Sequence, residues 1–228
     1  MKKMLARVAV RGVGRSETLF RLVEAAAFAR FRREVDAAAA RRALRLHLGC
    51  GPKVLDGWIN IDMRLGRGIL TARLPRALAR FPSASARAIY ASHVLEHIEY
   101  PSEATIFAEQ CHRILVDGGA VRVVVPGIEK IIRAYVADDA EFFAVQARLH
   151  PPQYTTKLEH LMYALQQDGA HKYGYDFETI SKLFRRAGFD KIVQSDFNAS
   201  ASEDLRIDYR DITDQTGAHL SLYVDAIK

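Results

Sequence analysis

Six short apolar runs separated by stretches of helical period constrain this chain more than any other feature. The runs are Leu44–Leu48, Trp58–Ile61, Ala88–Ala91, Val121–Val125, Lys191–Gln194 and Leu220–Ala226, with a weaker one at Gly68–Thr71. Each is strand length and too short for a stable helix. Between them the spacing predicts helices at Ser102–Leu115, Ile128–Val136, Ala140–Leu149, Lys157–Gln167 and Phe177–Ala187. Strands alternating with helices imply an α/β fold, a mainly parallel sheet with helices on both faces. "VRVVV" is apolar enough for a central strand despite Arg122. No helical stretch separates the last two runs, so the chain is expected to end in an antiparallel hairpin at the sheet edge. Asp117–Ala120 is expected to end one helix, with Gly118 or Gly119 left-handed, and Gly188 to end the last.

The charge is unevenly spread. The net charge is +6, yet residues 1–45 hold 12 Lys/Arg against 4 Asp/Glu, leaving 21 against 23 for the rest. A basic arm, residues 1–43, thus precedes a near-neutral domain, residues 44–228. Residues 16–42 read as a helix N-capped by Ser16, with Leu19, Phe20, Leu22, Val23, Ala27, Phe31 and Val35 as its apolar stripe. Such a helix packs on the domain, or lies on an anionic membrane surface or a partner. Two cysteines, Cys50 and Cys111, exclude a disulfide framework and a structural zinc finger, and fit a reducing cytoplasm. Arg7 and Arg11 interrupt the opening apolar residues too early for a secretory signal, and no run approaches a membrane span. The Arg-rich start also resembles an organelle transit peptide, although Glu17, Glu24 and Glu34 follow it closely.

"LHLGCGPKVLDGWINID", residues 46–62, carries the chemistry. Glycines after a first strand let backbone approach a ligand, and an acid ending the second strand can accept both hydroxyls of a ribose. Gly49, Cys50, Gly51 and Asp62 therefore form a candidate nucleoside clamp. A dinucleotide site would want GxGxxG and a helix behind it, but Val54 stands at the sixth position. Little chain separates Gly51 from Trp58, which argues against NAD and FAD. S-adenosylmethionine (SAM), with a ribose and no phosphate, needs only the turn and the acid.

"LHLGCG", "GWINID", "SHVLEHI", "CHRILVDGGAVRVVVPG", "HKYGYDFETISKLFRRAGF" and "SLYVDA" together resemble a class I SAM-dependent methyltransferase. The nearest type is the methyltransferase-11-like group associated with polysaccharide and cell-envelope biosynthesis. The resemblance runs from about Arg45 to the C-terminus. It implies a Rossmann-like sheet of six or seven strands, the last antiparallel, and SAM as cofactor, with Gly49, Cys50 and Gly51 near its methionine part and Asp62 on its ribose. Ser92 and His93 would face cofactor or substrate. The pattern departs in two places. Thr71, Ala72 and Arg73 stand where relatives carry an adenine-binding acid, and Arg87 where an aspartate often opens the fourth strand.

Ubiquinone-type O-methyltransferases are similar at "SHVLEH", where acids and a histidine bind a divalent cation. Here His93 replaces an acid. On a helix, His93 and His97 would share a face with Glu96 beside them, and two histidines and a carboxylate could ligate zinc or iron. The leading expectation is no metal, with Glu96 and His97 bonded to nearby backbone. Residues 127–176 read as a helical substrate lid, broken at "HPPQY" and closed by "GAHKYGYD", with His171 and Tyr173 toward the acceptor. A hydroxyl acceptor needs a base, and His93 or His171 is the candidate catalytic residue. The leading reading is methylation, at oxygen, of a small-molecule, glycan or lipid-linked acceptor. Two alternatives stand beside it. One is a binding or scaffold protein that keeps the fold without the cofactor. The other is an RNA methyltransferase using the basic arm, although the arm offers no stacking platform and "PPQY" only superficially resembles a base-flipping run.

Overall fold

In the computed structural model, residues 17–228 are described. The expected N-cap at Ser16 and the start of the basic arm lie outside them. Helix α1, Glu17–Ala40, leads into seven strands: β1 Leu44–Leu48, β2 Ile59–Asp62, β3 Ile69–Thr71, β4 Ala86–Ser92, β5 Leu115–Pro126, β6 Lys191–Ser195 and β7 Ser221–Ile227. Five further helices are α2 Ser102–Ile114, α3 Ile128–Val136, α4 Ala140–Leu149, α5 Lys157–Gln166 and α6 Phe177–Arg186. The strand order is β3-β2-β1-β4-β5-β7-β6. β1 to β5 pair in parallel, and β7 runs antiparallel between β5 and β6. The expected seven-stranded α/β sheet with an antiparallel end is the one observed.

Alternation along each strand splits the sheet into two unlike faces. Leu46, Leu48, Ile59, Ile61, Ile89, Val121, Val123, Val125 and Leu222 point to one side, where α2, α6 and the apolar face of α1 cover them. α6 ends in the expected glycine stop: Gly188 has φ 102°, its N–H bonds Arg185 O, and the Phe189 N–H reaches back to Phe184 O. The stop expected at Asp117–Ala120 is different. α2 already ends at Ile114, and Gly118, φ 77°, lies within the β5 segment where its pairing with β4 shifts register.

The other face presents His47, Asn60, Tyr90, Arg122 and Asp225, all buried. The connection from β1 to β2, residues 49–58, is too short for a crossover helix. Asn60 pins it instead: its Oδ1 accepts the Leu55 N–H (2.8 Å), and its Nδ2 donates to Leu55 O and Trp58 O (each 3.0 Å). With no helix there, the long β6–β7 loop closes this face through Phe197, Leu205, Ile207 and Tyr209, its only helical piece a 3-10 turn at Glu203–Leu205. Arg122, fully buried, anchors the loop. It donates to Asp208 (2.6 Å), Asp225 (3.0 Å), Ser195 Oγ (2.7 Å) and Asp196 O (2.7 Å). Burial opposes its charge, but the bonds and charges of the two aspartates prevail and raise its pKa.

α1 buries Phe20, Glu24 and Val35, with Phe28 and Phe31 packed against the core. Leu22 of the expected stripe is exposed, and the acid Glu24 takes a buried place, accepting the Arg73 N–H (3.0 Å) and pairing with Arg76 (3.4 Å). Among the described residues no helix is long and apolar enough to cross a membrane.

Candidate functional site

The parallel strands end together at one edge, and the site is built there. Gly49 and Gly51 leave β1 with φ 61° and 55°, values that favour glycine. They meet different surroundings. A Cβ on Gly49 would lie 2.3 Å from Val94 Cγ2, so this glycine is demanded by close packing. A Cβ on Gly51 would meet nothing within 4 Å, so its backbone borders open space. Asp62, at the tip of β2, closes the turn: its Oδ2 accepts the Gly51 N–H (2.8 Å) and its Oδ1 the Arg64 N–H (2.9 Å). Each carboxylate oxygen accepts more than one bond, so the half-buried Asp62 keeps capacity for a diol. Cys50 contributes backbone only. Its side chain is buried, and burial pushes the thiol up to about 12.

β4 delivers the second group. Ser92 is buried beside Tyr90 and Tyr209. His93 follows with φ 54°, its N–H on Val124 O (2.7 Å). The expected helix carrying His93 and His97 on one face is absent: only a 3-10 turn, Leu95–His97, forms, because left-handed backbone at His93 and extended backbone at Ile98 bracket it. His93 instead bonds Glu96, Nδ1 to Oε1 at 3.0 Å, while its Nε2 meets Ser221 Oγ at 3.3 Å. Glu96 was expected to be satisfied by backbone; its side chain bonds His93 and leaves Oε2 with no partner. His97 does take a backbone partner, Ala170 O at 2.9 Å.

Beyond His93 a cavity of about 250 Å³ opens between the strand tips and the helical insert. Its walls are apolar from Ile128, Phe142 and Leu220, and polar from His93, Tyr163, His171, Arg210 and Ser221. α3, α4 and α5 form the roof. An Asp139 cap on Phe142 N–H (2.9 Å) starts α4, and a reciprocal Thr156–Glu159 capping box starts α5. Burial and, less so, His160 hold His150 down near 4, so this ring is uncharged at neutral pH. Burial likewise lowers His171, whose Nδ1 bonds Ala164 O (3.0 Å).

Thus Gly49, Gly51 and Asp62 come together at one end, and His93 and His171 at the cavity. Tyr173 does not face the acceptor space; it stacks on Tyr100 with ring centroids 4.1 Å apart. Arg87 has no bearing on a ligand. It sits at the opposite end of β4 and pairs with Asp204 at 2.8 Å. At the β3 tip Thr71 bonds Arg64 O, Ala72 is buried, and Arg73 turns to Glu17 (3.0 Å), so the β3 exit carries no acid of its own; the carboxylate beside it is Glu24 of α1, which accepts the Arg73 N–H (3.0 Å). Ser221 and Arg210 escaped sequence reasoning because a strand-end serine and a loop arginine carry no local signal. The Glu96 partnership could have been found from its spacing of three from His93.

No family model matches the chain, and no curated protein matches it. Among solved structures, a SAM-dependent methyltransferase from Archaeoglobus fulgidus is similar at 14% identity and TM-score 0.51, covering 92% of this chain and 94% of that one. An S-adenosylmethionine-dependent methyltransferase from Mesorhizobium loti is similar at 14% identity and TM-score 0.45, over 87% and 97%. At these identities the likeness speaks to the fold, the Rossmann-like one of class I methyltransferases.

Proposed function

We propose that this chain is a SAM-dependent methyltransferase acting on a small acceptor held in the cavity under the helical insert. One observation carries the reading. Two consecutive residues join the glycine turn to the cavity: Val94 packs on Gly49, and His93 opens on the cavity wall. A group seated at the turn and a molecule in the cavity would therefore be neighbours. The residues fit an adenosyl group, with open space over Gly51 and the spare acceptor capacity of Asp62 for a ribose. Bound there, SAM supplies an electrophilic methyl on a good leaving group, so the protein's task is mostly alignment.

His93 would take the proton of an acceptor hydroxyl. Glu96 holds its Nδ1, which directs the Nε2 lone pair away from the carboxylate, in the manner of a base oriented by a third group. Ser221, at 3.3 Å from that nitrogen, marks where a hydroxyl can stand. A cavity of about 250 Å³ suits a sugar-sized or similar group, and an oxygen of a small-molecule, glycan or lipid-linked acceptor is the proposed target.

Calorimetry with SAM and S-adenosylhomocysteine tests the reading: binding by the intact chain, weakened at least tenfold in Asp62→Ala, is the expected result. A second reading, a scaffold that keeps the fold without the cofactor, is favoured by a β3 exit that carries no acid of its own and whose Arg73 N–H is already taken by Glu24. Absence of any binding heat would establish that reading and remove the first. Given binding, unchanged turnover in His93→Ala would remove His93 as the base.

A further inference from the structure

Three side chains meet where the β4 exit touches the closing segment of the insert. One ligand atom from each of Glu96, His97 and His171 lies within 4.8 Å of the others. The two rings stand edge to face, centroids 4.9 Å apart. Each imidazole is already oriented by backbone: His97 Nδ1 bonds Ala170 O and His171 Nδ1 bonds Ala164 O. A carbonyl only accepts, so in both neutral rings Nδ1 carries the proton and Nε2 keeps its lone pair. That is the arrangement of metal-ligating histidines, whose far nitrogen donates to a carbonyl or carboxylate. Glu96 supplies the independent sign of a missing partner. It is 1% exposed, Oε1 is taken by His93, and buried Oε2 has no hydrogen bond. A buried carboxylate oxygen left without a protein partner is costly, and a cation beside it would satisfy it.

We propose that Glu96, His97 and His171 bind a divalent cation of the zinc type, through Oε2 and the two Nε2 atoms. Two imidazoles and one carboxylate are a zinc donor set that leaves a fourth position open. Bonds of about 2.0–2.2 Å require ligand atoms less than about 4.4 Å apart. The spacing of up to 4.8 Å would have to close by a few tenths of an ångström on binding. The set differs from the one "SHVLEH" suggests, because His93 is spent behind Glu96 on its other oxygen. The cation would tie the insert to the β4 exit, where the Lys172 and Tyr173 N–H groups already bond Glu96 O (2.6 and 3.3 Å). Since His171 also lines the cavity, the cation would sit at its wall.

Cobalt(II) titration of the chelator-stripped full chain tests this without cofactor or acceptor, so its outcome is separate from the methyltransferase reading. One equivalent of Co(II) should give the visible absorption of a low-coordinate nitrogen–oxygen site, displaced by Zn(II). His97→Gln and His171→Gln should each weaken binding at least tenfold while circular dichroism stays unchanged. Glu96→Gln should do the same, but Glu96 is buried, so the His97 variant decides. His219→Gln, which removes a histidine held between Asp196 and Asp211, should leave binding intact. No cobalt spectrum, full affinity in His97→Gln and His171→Gln, or loss confined to His219→Gln would overturn the proposal.

Discussion

Replacing Arg122 by methionine should nearly unfold this protein, although the change keeps the side chain long and apolar-compatible. The guanidinium is fully buried in the central strand β5 and faces Asp208 and Asp225, themselves 2% and 1% exposed. Removing one member of a buried ion pair costs about 3–5 kcal/mol, because the other charge stays desolvated. Here two carboxylates lose their cation at once, so the cost should reach about 5 kcal/mol, against a typical total stability of about 5–15 kcal/mol. Asp208 also accepts from Tyr90 Oη (3.0 Å) and the Asn198 N–H (2.7 Å), so the damage should spread into the β6–β7 loop. Urea unfolding followed by circular dichroism measures the loss, and limited proteolysis between residues 197 and 210 measures loop release. Adding Asp225→Asn to Arg122→Met should cost less than the sum of the two single changes, by about 0.5–3 kcal/mol. A single variant within about 1 kcal/mol of the parent, with unchanged proteolysis, would refute the view that this ion cluster closes the second face.

The two turn glycines should respond differently. Gly49→Ala combines left-handed backbone strain with a 2.3 Å approach to Val94 Cγ2 and should cost about 2–4 kcal/mol, partly recovered in Gly49→Ala/Val94→Ala; Gly51→Ala meets open space and should cost only about 1–2 kcal/mol of strain, read as thermal midpoints. Acid should weaken the fold through His47, which burial, opposed by its Asn60 bond, holds at about 4 instead of 6.5. A depressed folded pKa makes the unfolded chain the better proton binder between these values. Stability is therefore full above pH 6.5 and falls as pH drops toward 4, by about 3.5 kcal/mol. Urea midpoints at pH 7 and 4.5 should converge in His47→Leu relative to the parent, with the slope due to His150 remaining. Glu24→Ala should loosen α1, since it strips partners from Arg73 N–H and Arg76; faster amide exchange in α1 with an intact sheet is the expected readout.

The strands and helices were legible because their period is local. Leu44–Leu48 alternates against a covered face, and Asp176 N-caps α6 through the Thr179 N–H (2.8 Å) with neighbours only three residues away. The glycine turn and Asp62 were legible for the same reason: a strand exit and a strand end bring them together across one parallel pair. Arg122 read as an oddity in an apolar strand, and its partners lie 86 and 103 residues downstream, beyond any local pattern. Nor could spacing place His171 beside His97, or turn His93 onto Glu96 in place of a shared helix face.

The sequence by itself determined an α/β sheet, its antiparallel finish and the edge where a ligand would sit, because these follow from side-chain period and backbone sterics. Only the tertiary structure decided what covers the second face and which histidines meet. A connection too short for a helix left polar residues bare, and a distant loop had to satisfy them; burying charge demands partners wherever in the chain they are found.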